Sequence, residues 1–205
     1  MKKLTALVAL LLATALSLTA CGDGGTSDTS SDKSTATARF DDTDVEFAQG
    51  MIPHHQQAVE MSQLAESHAA GAEVRKLASD IESAQGPEID TMTQWLQDWG
   101  KDVPSDSDGD MGGMGGMDMG DGSHMDVDDM PGMMSADDMH ELDRAHGAGW
   151  DRMFLVMMIR HHEGAIEMAR TEQAEGQNTD ALALAEEIEK AQTTEIAQMK
   201  DMLAS

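Results

Sequence analysis

The sequence MIPHHQQAVEM of residues 51–61 returns as MIRHHEGAIEM in residues 158–168. The second copy follows the first by 107 residues, and at this offset residues 44–98 match residues 151–205 without a gap at 19 of 55 positions. A fixed offset over that length indicates an internal duplication. Because each copy carries adjacent histidines among methionines, the duplication predicts paired soft-metal sites in a symmetric helical bundle.

The apolar residues of each copy recur at helical spacing, and strand signals are absent. Each copy therefore predicts a helical hairpin, and the two hairpins, residues 44–100 and 135–205, are joined by one long crossover at residues 101–134. The long helices are expected at about 43–70, 72–99, 150–175 and 180–204, with a short helix at 136–146. Gly86-Pro87 predicts a kink in the second helix, not its end.

The first 21 residues predict an export signal. Two lysines precede an apolar run, Leu4–Leu18, that is too short to span a bilayer comfortably. Residues 18–21 (LTAC) then resemble a bacterial lipobox, which predicts lipid attachment at Cys21; an ordinary secretory signal with an incidental cysteine is the alternative. Residues 22–43 predict a flexible tether. The protein is accordingly expected on the outer face of the cytoplasmic membrane, at the cell surface or in the periplasm.

The formal net charge of −26 argues against binding of nucleic acid or of anionic lipid surfaces. The lipid anchor is therefore the only membrane contact that the sequence predicts. The chain has three Trp, three Phe and no Tyr, so its core has to rely on Leu, Ile, Ala and Met, which suits helices.

Successive residues of a helix turn by about 100°, which places one set of side chains from each copy on an inward stripe. The adjacent histidines lie near the middle of that stripe, with methionines before and after them. The donors are Met51, His54, His55 and Met61 in the first copy and Met158, His161, His162 and Met168 in the second. Neutral imidazole binds Cu, Zn, Fe and Ni, and thioether sulfur selects Cu(I), so this set favours copper binding.

The second helix of each hairpin carries a polar pair within its apolar stripe. The pair is Gln85 and Glu88 in the first copy and Gln192 and Glu195 in the second. Buried carboxylates need partners. Glu88 and Glu195 are therefore expected either to accept the distal ring N–H of a ligating histidine or to bind the metal directly.

Alternatives stay open for both groups of residues. The histidines, glutamates and glutamines would also serve as a metal-free polar network that fixes the helix register, in a module that binds a protein partner. For Met61 and Met168 core packing is the favoured interpretation, whereas Met51 and Met158 fit either role.

The crossover holds a second group of methionines on a chain without apolar periodicity. The run MGGMGGMDM places Met111, Met114, Met117 and Met119 close together. Disordered segments normally favour other residue types, so these methionines predict an open trap for Cu(I) or Ag(I).

The pattern Met-Ile-x-His-His-x-x-Ala-(Ile/Val)-x-Met resembles the signature of domain of unknown function 305, a family of exported bacterial proteins. The resemblance covers residues 40–205, with Pro53 where the second copy has Arg160. It implies a ferritin-like four-helix bundle. Because family members often accompany copper-handling functions, it also implies copper or silver binding through the histidines and methionines of both copies.

Together these features predict an exported, lipid-anchored protein that binds Cu(I), with Ag(I) or Cu(II) as alternatives, and that sequesters copper or hands it to a protein partner. No nucleophile elbow, phosphate loop or cysteine site stands out, so no enzymatic activity is expected. The rival is a di-iron or ferroxidase-type bundle, which uses four carboxylates and two Glu-x-x-His motifs. The relevant helices lack that motif and offer Glu88, Glu195, Asp44 and Asp151 as inward carboxylates.

Overall fold

The structure is a computed structural model that describes residues 39–104 and 130–205. Four long helices and two short ones lie within these ranges. They are α1 (Asp42–Gln63), α2 (Ala65–His68), α3 (Ala72–Trp99), α4 (Ala136–Arg144), α5 (Gly147–Glu175) and α6 (Thr179–Ala204). The described residues contain no strand, only an isolated bridge between Ala69 and Gly147. The all-α prediction is confirmed.

Capping residues set several of the helix ends. The Asp41 side chain accepts hydrogen bonds from the first backbone N–H groups of α1. Gly100 ends α3 in the left-handed conformation, with φ 67°. α3 continues through Pro87 without ending, as predicted. Two bounds differ from the prediction, because α1 stops at Gln63 and is followed by the single turn of α2, and α5 begins earlier, at Gly147.

Two helical hairpins make up the bundle. α1 packs against α3 in the first hairpin, α5 packs against α6 in the second, and α1 contacts α5 between the hairpins. The short helix α4 lies against α5. Within the two described ranges, every helix is too short or too polar to cross a membrane.

The core is divided into two apolar clusters by a polar layer. The first cluster contains side chains mainly from the C-terminal half of α1 and the N-terminal half of α5. The second cluster contains side chains from the N-terminal half of α1 and the C-terminal half of α5. α1 and α5 therefore run antiparallel, and the 107-residue repeat relates one cluster to the other. Between the clusters lie six buried polar side chains, which we name the histidine layer: His54, His55, Gln85, His161, His162 and Gln192.

A carboxylate at the start of each hairpin binds the turn of the other hairpin. Asp44 accepts hydrogen bonds from the backbone N–H groups of residues 177 and 178, at 3.1 and 2.8 Å. Asp151 accepts from the N–H groups of residues 70 and 71, at 3.0 and 2.9 Å. The two aspartates, and the amides that each one binds, are equivalent positions of the two copies. Both aspartates, which the di-iron alternative would use as inward carboxylates, are thus hydrogen-bonded to loop amides.

Glu172 on α5 is a buried carboxyl group that the repeat does not share, since the first copy has Ala65 at this position. Burial and the neighbouring Asp44 raise the pKa of Glu172 from 4.5 to about 8. Because the folded-state pKa is raised, the contribution of Glu172 to stability is complete below pH 4.5 and is lost as the pH rises through about 8.

Glu172→Gln is expected to stabilise the metal-free fold increasingly as the pH rises. At pH 5 the protonated carboxyl and the carboxamide are both neutral, so the Tm values of variant and wild type should agree closely. At pH 9 only the wild type carries a buried charge, so the variant should unfold at a higher temperature. Thermal unfolding followed by circular dichroism measures the difference.

The matched control is Glu175→Gln, which removes an exposed carboxylate from the same end of α5. Its Tm difference from wild type should hardly depend on pH. A Glu172→Gln difference that stays constant from pH 5 to pH 9 would contradict the buried titration.

Candidate metal centre

Adjacent side chains of a helix point about 100° apart, so the two histidines of each pair face two different neighbouring helices. His54 of α1 and His161 of α5 meet between the hairpins, with ring centroids 3.8 Å apart. His55 points towards α3 within its own hairpin, and His162 points towards α6. All four side chains are fully buried.

A glutamate holds the outer histidine of each hairpin. His55 Nε2 donates to Glu88 Oε2 at 2.7 Å, and His162 Nε2 donates to Glu195 Oε2 at 2.7 Å. A carboxylate oxygen accepts this hydrogen bond, so Nε2 carries a proton, and in the neutral tautomer of the ring the lone pair would lie on Nδ1. Each glutamate is hydrogen-bonded to a histidine ring, which is the geometry that the first of the two expected roles requires, and direct binding of a metal by the glutamates stays a prediction.

The two central histidines are held in the neutral form. Burial lowers the pKa of His54 to about 3. Burial and the neighbouring imidazoles hold the pKa of His161 well below its usual value. His54 Nε2 donates to the carbonyl oxygen of Pro131 at 3.0 Å, which leaves Nδ1 with the lone pair. Neutral imidazole is the form that binds a metal ion.

The histidine layer contains more buried polar atoms than hydrogen bonds to satisfy them. The unpartnered atoms are Nδ1 of His54, His55 and His162, both ring nitrogens of His161, and Oε1 of Gln85 and Gln192. Leaving a buried donor or acceptor unsatisfied costs about 1–3 kcal/mol, and native proteins contain only a few such atoms. Each neutral ring offers one lone-pair nitrogen, and four such nitrogens in one layer are a donor set that a borderline or soft metal ion prefers, so the residues present fit such an ion.

Each apolar cluster joins methionines from both copies. Met51 and Met168 belong to one cluster, and Met61 and Met158 belong to the other. Met51, Met61 and Met158 are fully buried, whereas Met168 is half-buried. Because the clusters lie on opposite sides of the histidine layer, thioether sulfur is present on both of its sides.

The end of the crossover, residues 130–135, lies on α1 and α5 at the histidine layer, and we name it the strap. The Gln57 side chain binds the strap with both of its amide atoms. Met134 N–H donates to Gln57 Oε1 at 2.7 Å, and Gln57 Nε2 donates to the Met134 carbonyl oxygen at 2.9 Å. Arg160 also donates to the strap, at the carbonyl oxygen of Met133. Sequence reasoning treated this segment as linker and missed the strap.

Two glycines let the strap approach α5 closely. Gly132 has φ 78°, a conformation that other residues rarely adopt. A Cβ atom on Gly164 would overlap the carbonyl group of Pro131. The first copy has Gln57 at the position of Gly164. The two copies therefore differ where the strap binds. The first copy binds the strap with an amide side chain, and the second copy has a glycine that leaves room for the strap backbone.

The structure brings some of the predicted donors together. The four histidines share one layer, the two glutamates hold two of them, and the four core methionines flank the layer. Cys21, Met111, Met114, Met117 and Met119 lie outside the described residues, so their roles stay predictions. In the part of the chain that the structure describes, no three His, Cys, Asp or Glu side chains stand ready to hold a metal ion.

Residues 44–203 match the family profile DUF305, domain of unknown function. A DUF305 protein of Streptomyces coelicolor, named as a candidate secreted protein, is 30% identical with a TM-score of 0.66, over 79% of this chain and 92% of that chain. A DUF305 fragment from Deinococcus radiodurans is 26% identical with a TM-score of 0.66, over 80% of this chain and 97% of that chain. No curated protein matches this chain.

A further similar structure is that of CopM. In its Cu(II)-bound form CopM is 31% identical with a TM-score of 0.61, over 78% of this chain and 95% of that chain. CopM structures in Cu(I)-bound, Ag-bound and apo forms also match. The DUF305 profile spans both helical hairpins, and this chain therefore belongs to the DUF305 family.

Proposed function

We propose that this protein binds Cu(I) or Ag(I) in the cell envelope, where it sequesters the ion or hands it to a protein partner. The observation that carries the proposal is the set of five unpartnered imidazole nitrogens in the histidine layer. A metal-free network that only fixed the helix register would be expected to satisfy its own buried atoms. A metal ion would instead use the one lone pair that each of the four neutral rings offers.

The proposed ligands are neutral imidazoles and thioethers. Glu88 and Glu195 would orient the outer rings and raise the basicity of Nδ1 through their hydrogen bonds to Nε2. Thioether sulfur favours monovalent copper and silver, and imidazole also accepts Cu(II). The nitrogen donors would be His54, His55, His161 and His162, and the sulfur donors would be Met51, Met158, Met61 and Met168.

The relatives support this class of ligand. CopM has been solved with Cu(I), Cu(II) and Ag bound, at about 30% identity to this chain. We extend the same chemistry to Met111, Met114, Met117 and Met119, which would form a second, open group of thioether donors in the crossover.

We further propose that residues 1–21 direct export and that Cys21 is lipidated, so that the protein sits on the outer face of the cytoplasmic membrane. The similarity to a candidate secreted protein supports export. The net charge of −26 would draw cations towards the surface and disfavours nucleic acid as a partner.

The proposal describes a binding protein and not an enzyme. A di-iron centre would need several carboxylates as ligands. Among the described residues, Asp44 and Asp151 bind loop amides, while Glu88 and Glu195 bind histidine rings. Nothing in this arrangement favours the di-iron alternative.

Replacing all four histidines of the layer with Gln is expected to abolish tight Cu(I) binding by the bundle. The experiment uses the full chain with Cys21→Ser and with Met111, Met114, Met117 and Met119 replaced by Leu, so that neither the thiol nor the MGGMGGMDM run competes. Anaerobic titration with Cu(I) against a competing chelator measures affinity and stoichiometry, and far-UV circular dichroism checks that the helices are retained.

The matched control in the same background replaces His140 and His146, which are exposed and lie outside the layer. Its Cu(I) affinity should equal that of the parent. If the variant without the layer histidines keeps both the stoichiometry and the affinity of the parent, the bundle does not bind copper through imidazole.

Glu88→Gln is expected to weaken Cu(I) binding by about 10- to 100-fold, because a carboxamide holds the His55 ring less strongly and no longer raises its basicity. The same competition titration measures the effect. Glu60→Gln, which changes an exposed carboxylate on α1, is the control and should leave the affinity unchanged. Equal affinities for both variants would show that the glutamate does not support a ligand.

A further inference from the structure

Two methionine side chains converge above a single glycine of α1. A Cβ atom placed on Gly50 would lie 2.9 Å from Met168 Cε and 3.7 Å from Met130 Sδ. An alanine methyl group at this position would therefore displace the end of the Met168 side chain, and it would lie in ordinary van der Waals contact with the Met130 sulfur. One methionine comes from α5 and the other from the strap, so the contact joins the crossover to the bundle.

The backbone that follows Met130 is fixed on α1. The next residue, Pro131, accepts a hydrogen bond from His54, and Gln57 holds the strap at Met134. Met130 itself is only 6% exposed, although it adjoins the crossover. The strap thus presents the Met130 thioether at a defined place beside the histidine layer, as a binding site requires.

The repeat supplies a second methionine at the matching place in the other half. The position that corresponds to Gly50 is Met157, and the one that corresponds to Met168 is Met61. Met157 packs against the cluster that contains Met61. In that half the helix itself therefore provides the extra thioether, whereas the first half has a glycine there and receives Met130 from the strap.

We propose that Met130 and Met168 form a two-thioether site for a soft monovalent cation, Cu(I) or Ag(I), over Gly50. This site rests on the proposed function and extends it, because it makes the strap a metal-binding element and places a sulfur donor pair between the methionine-rich crossover and the histidines. Thioether ligands select monovalent copper and silver over the hard cations. An ion bound there would lie on a route from the crossover to the layer.

The test is a titration of the full chain, carrying Cys21→Ser, with Ag(I), which is diamagnetic and redox-stable. Methionine labelled with carbon-13 at the methyl group gives one resonance per residue, and Met130→Leu and Met168→Leu assign the two signals. In the parent, both signals should shift together with the same midpoint. In Met130→Leu, the midpoint for the Met168 signal should rise at least about tenfold, and Met168→Leu should do the same to Met130.

Met134→Leu is the control, since it changes a buried methionine of the same strap that contacts Arg160 instead of Gly50. It should leave the Met168 midpoint unchanged. The inference is overturned if the Met168 signal responds to Ag(I) with the same midpoint in Met130→Leu as in the parent. It is also overturned if Ag(I) binds the parent while neither signal moves. A parent that binds no Ag(I) at all would instead overturn the proposed function.

Discussion

Desolvation of four imidazole rings is the constraint on which the rest of this structure depends. The rings are fully buried between two apolar clusters, so the central pair stays neutral and several ring nitrogens have no hydrogen-bond partner within the described protein. Each unsatisfied buried atom lowers the free energy of unfolding of the metal-free protein, and this layer contains several of them. It also leaves lone pairs available to an ion without competition from protons, which is what a binding site for copper or silver needs.

Duplication gives the layer its framework, and the departures from the duplication complete it. The loop hydrogen bonds of Asp44 and Asp151, the two His–Glu hydrogen bonds and the methionines of the two clusters all follow the same repeat offset. The strap does not. The Gln57 side chain binds the strap on α1, and Gly164 on α5 leaves space for the strap backbone. Gln57 and Gly164 are equivalent positions of the two copies. In the described residues, the strap thereby covers one side of an otherwise symmetric bundle.

Local signals in the sequence were enough to predict the helices and the inward histidines. The helical spacing of apolar residues and the capping residues predicted the bounds of α3, Ala72–Trp99. The rotation of about 100° per residue placed His54 and His55 on an inward stripe. The pattern left open whether Glu88 binds a histidine or a metal, because that choice depends on how far apart the helices lie. The structure shows a hydrogen bond between Glu88 and His55, and the role of either residue towards a metal stays a prediction.

The strap and Glu172 were beyond sequence reasoning for a physical reason. The strap has no periodicity, and its hydrogen bonds link residues that are 77 positions apart in the chain. The one available signal was the replacement of Gln57 by Gly164 between the copies. Glu172 sits on a helix face that the first copy fills with Ala65, and its partner Asp44 comes from another helix.

Nitrogen-15 spectra of the histidine rings, recorded on the full chain during titration with Ag(I), test the central claim most directly, since they report each ring nitrogen separately. We predict that the Nδ1 resonances of His54, His55 and His162 shift on binding, while Nε2 of His55 and His162 stays protonated against its glutamate. Tight binding of Ag(I) with every ring-nitrogen resonance unchanged would contradict a metal centre in the histidine layer.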